Sequence, residues 1–345
     1  MDRIYYKLYP NMYIIIVGPT GITKTTAADI GIDILEQIPD IEMYKEKINS
    51  WTLLKHFGDL SVAFGHSMCT LYAPELKNFL SDLNKTDMVT LLTSFYGCPN
   101  TPNYHTIKHG NYQLKNVCVN LLGCSTPEWL TTGTTVDEIH GGFTGRIVYV
   151  YEDETDRSIP FPEDFHNHPI KQFRADLLHD LEEIRKLKGK MTITPQAKAE
   201  YIVWYEQRKL ECRDERLAAY FSRKRDLVFK LAMILSAAKD DSLVIDESTL
   251  RMSWQMLEQV EEKMAKAFSG VVEEPSLKYR DLVVSQITSS PGHSITKAEL
   301  LRKNWNRFDA KTLATIIDNL SAANIIKTPI QKTQDGRLIE TYSLR

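Results

Sequence analysis

The residues best suited to chemistry lie near the start of the chain, in the segment 13–26, which reads YIIIVGPTGITKTT. A run of β-branched residues leads into a turn containing Gly18 and Gly21, and then into Lys24 and Thr25. In this order, the N–H groups of the loop and the start of the next helix favour phosphate oxygens. The lysine would reach the β- and γ-phosphates of ATP, and the threonine hydroxyl would ligate Mg²⁺.

The nucleotide-binding residues predicted from this segment are Gly18, Pro19, Thr20, Gly21, Ile22, Thr23, Lys24, Thr25 and Thr26. Thr23 departs from the P-loop pattern, which places a glycine directly before the lysine. Because a β-branched residue resists positive φ, we expect Thr23 to keep an ordinary conformation or the loop to shift. Two alternatives stay open, namely a strand, turn and helix with chance glycines, and a nucleotide-binding fold that has lost hydrolysis.

An acid follows a second apolar run, at residues 67–72. Glu75 occupies the place of the acid that polarises the attacking water in P-loop ATPases. Pro74 stands where such proteins carry a second acid for Mg²⁺, and a proline cannot ligate a metal. The alternative for Glu75 is an acid at a helix N-terminus, stabilised by the helix dipole.

Polar side chains also mark two later strands. Ser125 and Thr126 follow the apolar run 116–123, and an open α/β sheet places its ligands at the carboxyl ends of its strands. Either hydroxyl could position the attacking water or sense the γ-phosphate, or begin a helix as its N-cap. Arg146 directly precedes the strand pattern 147–151 and could stabilise a transferring phosphoryl group, most usefully on the neighbouring subunit.

The stretch 104–115 contains two short strand patterns around a His-Gly turn, which predicts a β-hairpin. We expect Lys108, His109 and Lys115 to lie at or near its tip, where they could contact DNA. The alternative is a solvated hairpin with ordinary surface charges.

A length of 345 residues is too great for one compact core and suggests two or three domains, and the patterns along the chain favour three. Strand and helix patterns alternate over 1–155, which predicts an α/β core with a parallel sheet. A linker and mostly helical patterns fill 156–274, and 275–345 predicts three helices and a two-stranded wing, a winged helix.

In the helical part, Leu177 and Leu181 recur at helical spacing and are expected in the core. Arg223 precedes a helix and could point back at the nucleotide from a lid, or be a surface arginine beside an acid. In the winged helix, Lys311, Lys332 and Arg337 give modest support for DNA binding, and protein contacts are the alternative.

Composition limits these readings. The net charge of −3 means that any nucleic-acid contact must be local. No run of eighteen apolar residues predicts a membrane span. An odd number of scattered cysteines suits a reducing cytosol, so we expect a cytoplasmic protein.

Residues 18–25 resemble the phosphate-binding loop of AAA+ ATPases with one glycine replaced. The order of elements is also similar: loop, acid-ended strand, hairpin, polar strand end, arginine before the last strand, and helical lid. The segments 72–76, 122–130 and 141–146 resemble a family of P-loop proteins of bacteriophages, plasmids and genomic islands, often fused to primase domains. That family is in turn similar to MCM-type replicative helicases.

The resemblance spans about residues 10–270 and implies a role for each site residue. The implied roles are nucleotide and metal binding for Lys24 and Thr25, water activation for Glu75, first sensor for Ser125 or Thr126, trans arginine finger for Arg146, lid arginine for Arg223 with Lys230 seven residues on, and a DNA-gripping pore hairpin with Lys108 and His109.

Two functions follow from the sequence. The first is an ATP-driven DNA helicase or translocase of a mobile genetic element, a hexameric ring that moves single-stranded DNA and works with a primase or initiator. The second is a nucleotide-gated DNA-binding or loading module, in which Thr23 and Pro74 have weakened hydrolysis. A small-molecule kinase is a third reading, against which the lid and winged helix argue.

Overall fold

The computed structural model describes residues 1–45, 48–80, 85–106, 110–133, 142–155, 161, 169–207, 217–268, 279–327, 330–332 and 338–344. The chain divides into two compact units, Met1–Gly270 and Val271–Arg345. The finer division of the first unit into an ATPase core and a lid stays a prediction.

The first unit alternates strands and helices before it becomes mainly helical. Its strands are β1 Tyr13–Val17, β2 Met43–Lys45, β3 Ser67–Ala73, β4 Asn103–Thr106, β5 Gly110–Gln113, β6 Val117–Ser125, β7 Ile147–Tyr151, β8 Thr192–Ile193 and β9 Val244–Ile245. Its helices are α1 Lys24–Leu35, α2 Ser50–Phe64, α3 Leu76–Phe79, α4 Lys85–Phe95, α5 Pro127–Gly133, α6 Ile170–Lys186, α7 Pro195–Gln207, α8 Ala218–Lys239 and α9 Glu247–Met264.

A five-stranded parallel sheet forms the centre of this unit, in the order β2-β3-β6-β1-β7, so the predicted α/β class with a parallel sheet is confirmed. Alternate residues of β1 are buried, as expected for a central strand of β-branched residues. On one face, Ala28 and Ile32 of α1 pack against Tyr72 and Cys124. Helix α1 is thereby fixed to β3 and β6, the strands that precede Glu75 and Thr126.

The register of the sheet decides which side chains can meet. Val17 at the end of β1 lies beside Ser125 of β6, and Ala73 at the end of β3 lies beside Gly123. At the other end of β1, Tyr13 lies beside Ile147, the first residue of β7. The loops after β1, β3 and β6 therefore share the carboxyl edge, whereas the turn before β7 lies at the amino edge.

The helical part of the first unit is joined by a buried ion pair between α8 and α9. Lys224 Nζ lies 2.6 Å from Glu261 Oε2, each side chain is 11% exposed, and the Tyr220 hydroxyl donates to the same carboxylate. By contrast, α6 has no buried residue, and Leu177 is 44% exposed. The expectation of a core position was wrong for Leu177.

The second unit has its own core of buried residues from three helices and a small antiparallel sheet. Its elements are α10 Arg280–Ser289, β10 Ser294–Thr296, α11 Lys297–Lys303, α12 Ala310–Ala322, β11 Ile326–Lys327, β12 Ile330–Lys332 and β13 Leu338–Leu344. The hydroxyl of Thr296 accepts from the Glu299 N–H and the carboxylate of Asp309 from the Thr312 N–H, so each begins a helix. The winged-helix assignment stays a prediction, and Arg337 lies outside the described residues.

Candidate nucleotide site

A cavity of about 450 Å³ lies at the carboxyl edge of the sheet. Three loops form its walls, and the parallel register explains why they meet there. The lining residues are Thr20, Gly21, Thr23, Lys24, Thr25, Thr26, Pro74, Glu75, Leu76, Lys77, Cys124, Ser125, Thr126 and Trp129. The structure therefore brings together Lys24, Thr25, Glu75, Ser125 and Thr126, which are far apart in sequence.

Lys24 lies folded over the loop that precedes it. Its Nζ donates to the carbonyl oxygens of Gly18, at 2.7 Å, and Pro19, at 2.6 Å. Partial burial lowers the pKa of Lys24. The ammonium is thus held at the cavity wall by two neutral acceptors, which phosphate oxygens would replace with stronger, charge-assisted bonds.

Two glycines of the loop are required by its geometry. A methyl carbon on Gly18 would lie 2.2 Å from the Glu152 carbonyl oxygen and 2.3 Å from Ile22 Cδ1, and Gly21 has φ +94°. Gly18, Pro19 and Ile22 do not line the cavity, although they were predicted to bind nucleotide. Gly18 and Pro19 instead present their carbonyls to Lys24, and Ile22 packs behind the loop.

We expected either that Thr23 keeps an ordinary conformation or that the loop shifts. The first expectation was wrong. Thr23 adopts the left-handed region, at φ 57° and ψ 27°, directly before α1, and its side chain makes no capping hydrogen bond. This is the conformation that a glycine would adopt without strain, and it costs an L-residue about 1–2 kcal/mol. Thr23 thus adopts the backbone conformation that suits a glycine at this position.

Replacing Thr23 with glycine is expected to raise the thermal midpoint of the first unit by about 2 °C. Relief of the strain exceeds the extra backbone entropy of an unfolded glycine, by up to about 1 kcal/mol. Differential scanning calorimetry would measure this shift. Thr20→Gly is the matched control, because Thr20 has no positive φ and its replacement should lower the midpoint. Equal losses in both variants would contradict the strain argument.

Glu75 lies at the start of α3 and faces the cavity. It occupies the N-cap position but makes no capping hydrogen bond. Instead, the Asn78 side-chain amide donates to Glu75 Oε2 at 2.6 Å. Pro74 lies on the cavity wall where an acid would serve a metal. Asn78 therefore orients the carboxylate, and the alternative of a helix-end acid stabilised by the helix dipole stays open.

Magnesium in this cavity would depend on the nucleotide for most of its ligands. Within the described parts of the chain, no group of three or more His, Cys, Asp or Glu side chains is placed to hold a metal. Mg²⁺ keeps several waters and usually takes one or two protein ligands plus phosphate oxygens. The Thr25 hydroxyl, at the start of α1, fits that limited role.

For Ser125 and Thr126, the sequence left open a role towards the nucleotide and a role as the N-cap of a helix. The Thr126 hydroxyl accepts from the Trp129 N–H at 3.4 Å and so caps α5. Ser125 is the last residue of β6, nearly buried, and its hydroxyl donates to the Thr126 carbonyl at 3.3 Å. Thr126 is therefore the capping residue, and both Ser125 and Thr126 line the cavity.

Arg146 and Arg223, here called the arginine pair, lie at the opposite edge of the sheet. Arg146 donates to the Gly142 carbonyl, and Arg223 Nη1 donates to the Ala219 carbonyl at 3.0 Å. A methyl carbon on Gly142 would lie 3.0 Å from Arg146 Nη1 and 3.5 Å from Arg223 Nη2. Burial and the nearby charge of Arg223 lower the pKa of Arg146. Two like charges held this close favour the binding of an anion.

The position of the pair bears on the predicted role of Arg223. A lid arginine was expected to point back at the nucleotide, yet Arg223 lies beside Arg146 and not on the wall of the Lys24 cavity. Sequence spacing alone could not show this, because it depends on how α8 packs against the turn before β7.

Lys230 is buried and structural, at 4% exposure. Its Nζ donates to the carbonyls of Tyr9 and Asn11, each at 3.0 Å, and to the Asn11 side chain. Burial lowers the pKa of Lys230 to about 8. The Tyr96 ring lies 4.4 Å from Lys230 Nζ and 5.7 Å from Arg146 Cζ. The contact of Tyr96 with both cations was not predicted from the sequence. Lys230 anchors α8, the helix that also carries Arg223.

Gly145 allows the arginine turn to approach α8. A methyl carbon on Gly145 would lie 2.7 Å from the carbonyl carbon and from Cβ of Ala219. We expect Gly145→Ala to lower the thermal midpoint by about 5 °C, because overpacking a close backbone contact costs about 1–3 kcal/mol. Calorimetry would test this. Gly31→Ala is the control, since a methyl there meets open space in α1; a similar loss in both would contradict the contact argument.

The hairpin is present, but one of its predicted residues is not near the tip. β4 and β5 pair antiparallel, with Thr106 opposite Gly110 towards the turn and Asn103 opposite Gln113 at the base. Lys115 lies beyond that base, and its N–H donates to the Ser61 hydroxyl of α2 at 2.8 Å. The expected position of Lys115 was therefore wrong. Lys108 and His109 lie outside the described residues.

Comparisons with known proteins add little to this geometry. No protein-family model matches the chain, and no curated protein matches it. A mutant of RuvB from Thermotoga maritima is similar over 95% of this chain and 85% of that chain, at 14% identity and a TM-score of 0.25. Two structures of the apo NrS-1 C-terminal region are also similar. The first covers 99% of this chain and 69% of that chain, at 12% identity and a TM-score of 0.24. The second covers 98% of this chain and 67% of that chain, at 13% identity and a TM-score of 0.24. TM-scores this low carry no argument about function.

Over the described ranges, no helix combines the length and the apolar character that a bilayer crossing needs.

Proposed function

We propose that the chain is a subunit of an ATP-driven motor that moves single-stranded DNA and hydrolyses ATP between copies of itself. The observation that carries the proposal is the separation of two cationic groups across one sheet. Lys24 follows β1 at the carboxyl edge, whereas Arg146 precedes β7, which runs parallel beside β1. Five residues of strand separate these edges by roughly 13 Å, which is farther than an arginine side chain extends.

Two copies supply what one copy lacks. The cavity at Lys24 has a lysine, a hydroxyl and a candidate water-activating acid, and among the residues that the structure describes no arginine lies on its wall. The arginine pair has charge and partial burial but no phosphate cradle. Head-to-tail contact between copies would place the arginine pair of one copy against the Lys24 cavity of the next. Repetition of that contact closes a ring. A neighbour's arginine would stabilise charge on the transferring phosphoryl group.

The finer features of the motor rest on the sequence resemblance. They are a hexameric ring, a pore hairpin that grips DNA through Lys108 and His109, a primase or initiator partner, and a mobile genetic element as the source. The cytoplasmic location rests instead on the odd number of scattered cysteines. Lysines on such a hairpin would bind DNA phosphates electrostatically.

A subunit-mixing experiment tests the composite site. Lys24→Ala subunits keep the arginine pair, and Arg146→Ala subunits keep the phosphate cradle, so each alone should show no DNA-stimulated ATP hydrolysis. An equal mixture should recover about a quarter of the wild-type rate, because one head-to-tail contact in four then has both halves intact. No recovery in the mixture, from subunits that still assemble, would overturn the shared site.

A nucleotide-gated DNA-binding or loading module is the second candidate. Pro74 on the cavity wall favours it, because an acid for Mg²⁺ is missing at that place. Under this alternative, an ATP analogue would change the affinity for single-stranded DNA, while ATP turnover would stay at background with or without DNA.

A further inference from the structure

The second unit differs in charge from the rest of the chain. Residues 271–345 contain eleven Lys and Arg against eight Asp and Glu, a formal charge of +3, whereas the whole chain has −3. A charge difference of this kind between parts of a chain indicates that a polyanion contacts the positive part.

Much of this positive charge lies around the turn between α11 and α12. Five exposed residues lie there, and we call them together the Trp305 surface: Arg302, Lys303, Trp305, Arg307 and Lys311. Among the described residues, none of its four cations has an ion-pair partner within 4 Å. Elsewhere in the unit, Lys297 is paired with Glu340 at 2.8 Å. Unpaired cations grouped within ten residues are available to an incoming anion.

Trp305 is 81% exposed and lies within three residues of Arg302, Lys303 and Arg307 along the chain. A tryptophan is among the largest apolar side chains, and leaving it in water forgoes much of the stabilisation that burial would give. An aromatic ring set among cations is the combination that stacks an unpaired base while the charges hold its phosphates.

The turn that carries Trp305 is fixed from within. Asn304 is fully buried, and its side-chain amide exchanges two hydrogen bonds with Gln286, at 2.8 and 3.2 Å. On the other side, Phe308 is buried and packs against Tyr279. Because its neighbours on both sides are anchored in the core, Trp305 is presented outward by a defined backbone. Little backbone order would be lost when a ligand binds.

Two acids lie close to the surface and are engaged in capping. Glu299 lies in the first turn of α11, where its N–H is bonded to Thr296, and Asp309 accepts from the Thr312 N–H at 2.8 Å. They reduce the local positive charge without pairing to Arg302, Lys303 or Arg307. The four cations of the surface therefore outnumber these two acids.

We propose that the Trp305 surface binds single-stranded nucleic acid, with a base stacked on Trp305 and adjacent phosphates held by Lys303 and Arg307. A duplex keeps its bases paired and stacked, so it could use the charges but not the ring. Stacking and phosphate contact are common to DNA and RNA. This binding does not depend on ATP hydrolysis, so its test is independent of the test of the proposed motor function.

The test is fluorescence anisotropy with the full chain and labelled oligo(dT) or oligo(rU), in the absence of nucleotide and over a range of salt. Trp305→Ala should weaken binding about tenfold and leave the salt dependence unchanged. The double variant Lys303→Gln and Arg307→Gln should weaken binding and reduce the slope of log affinity against log salt by about 1.4. Trp305→Phe should retain most of the affinity.

Controls separate this surface from other contacts. Lys327→Gln removes an exposed lysine of the same unit outside the surface, and it should change the affinity by less than twofold. The dT and rU arms distinguish DNA from RNA, and either supports the proposal. The proposal is overturned if neither oligonucleotide binds, if the surface variants bind as the wild type does, or if a blunt duplex shows the same dependence on Trp305.

Discussion

Arg146→Ala is expected to lower ATP turnover by about a thousandfold while the affinity for ATP changes by less than about threefold. The reason is the place of Arg146 at the amino edge of the sheet, remote from the cavity of its own chain. Its loss removes charge stabilisation that a neighbour needs in the transition state, without altering the cradle that binds the ground state.

Steady-state ATPase kinetics with single-stranded DNA, together with equilibrium binding of a fluorescent ATP analogue, would measure both effects. Arg251→Ala is the control, because Arg251 is a more exposed arginine of the same unit that pairs with Glu200 between α9 and α7 and does not line the cavity. Turnover should be unchanged in that control. If Arg146→Ala weakened nucleotide binding as strongly as it slowed turnover, the arginine would belong to the binding site of its own chain.

Glu75→Gln is expected to reduce ATP turnover by about 10²- to 10⁴-fold and to leave ATP bound. The carboxylate lies on the cavity wall and is oriented by the Asn78 amide, so the isosteric amide removes basicity with little change of shape. Single-turnover hydrolysis and filter binding of labelled ATP would separate the chemical step from binding. A Glu75→Gln variant that turns over at the wild-type rate would leave Glu75 as a helix-end acid only.

The order of strands and helices along the chain could be predicted, because local sequence patterns mark each element. Apolar runs marked β1, β3, β6 and β7, and polar residues marked the carboxyl ends of β1, β3 and β6. Parallel pairing then places the ends of β1, β3 and β6 together, whatever the side chains between them. The grouping of Lys24, Glu75 and Ser125 around one cavity therefore followed from topology.

Other features depend on packing between distant segments, which a single sequence does not encode locally. Arg223 meets Arg146 because Gly145 lets Ala219 approach, and Lys230 is buried because Tyr9 and Asn11 offer carbonyls to it. Thr23 was expected to avoid the left-handed region, yet the surrounding loop imposes it. The exposed side of α6 was also missed, because periodicity shows an apolar stripe but not whether it has a partner.

The hydrogen bonds of Lys24 to Gly18 and Pro19 have a consequence for proton uptake. Burial lowers the pKa of the ammonium, which donates to two neutral carbonyls, and the negative charge of a bound triphosphate would raise it. In alkaline buffer, nucleotide binding should therefore take a proton from solution, and the affinity should fall as the pH rises through the pKa of the nucleotide-free state. Titration calorimetry in two buffers with different heats of ionisation would count that proton, and the count should vanish in Lys24→Met.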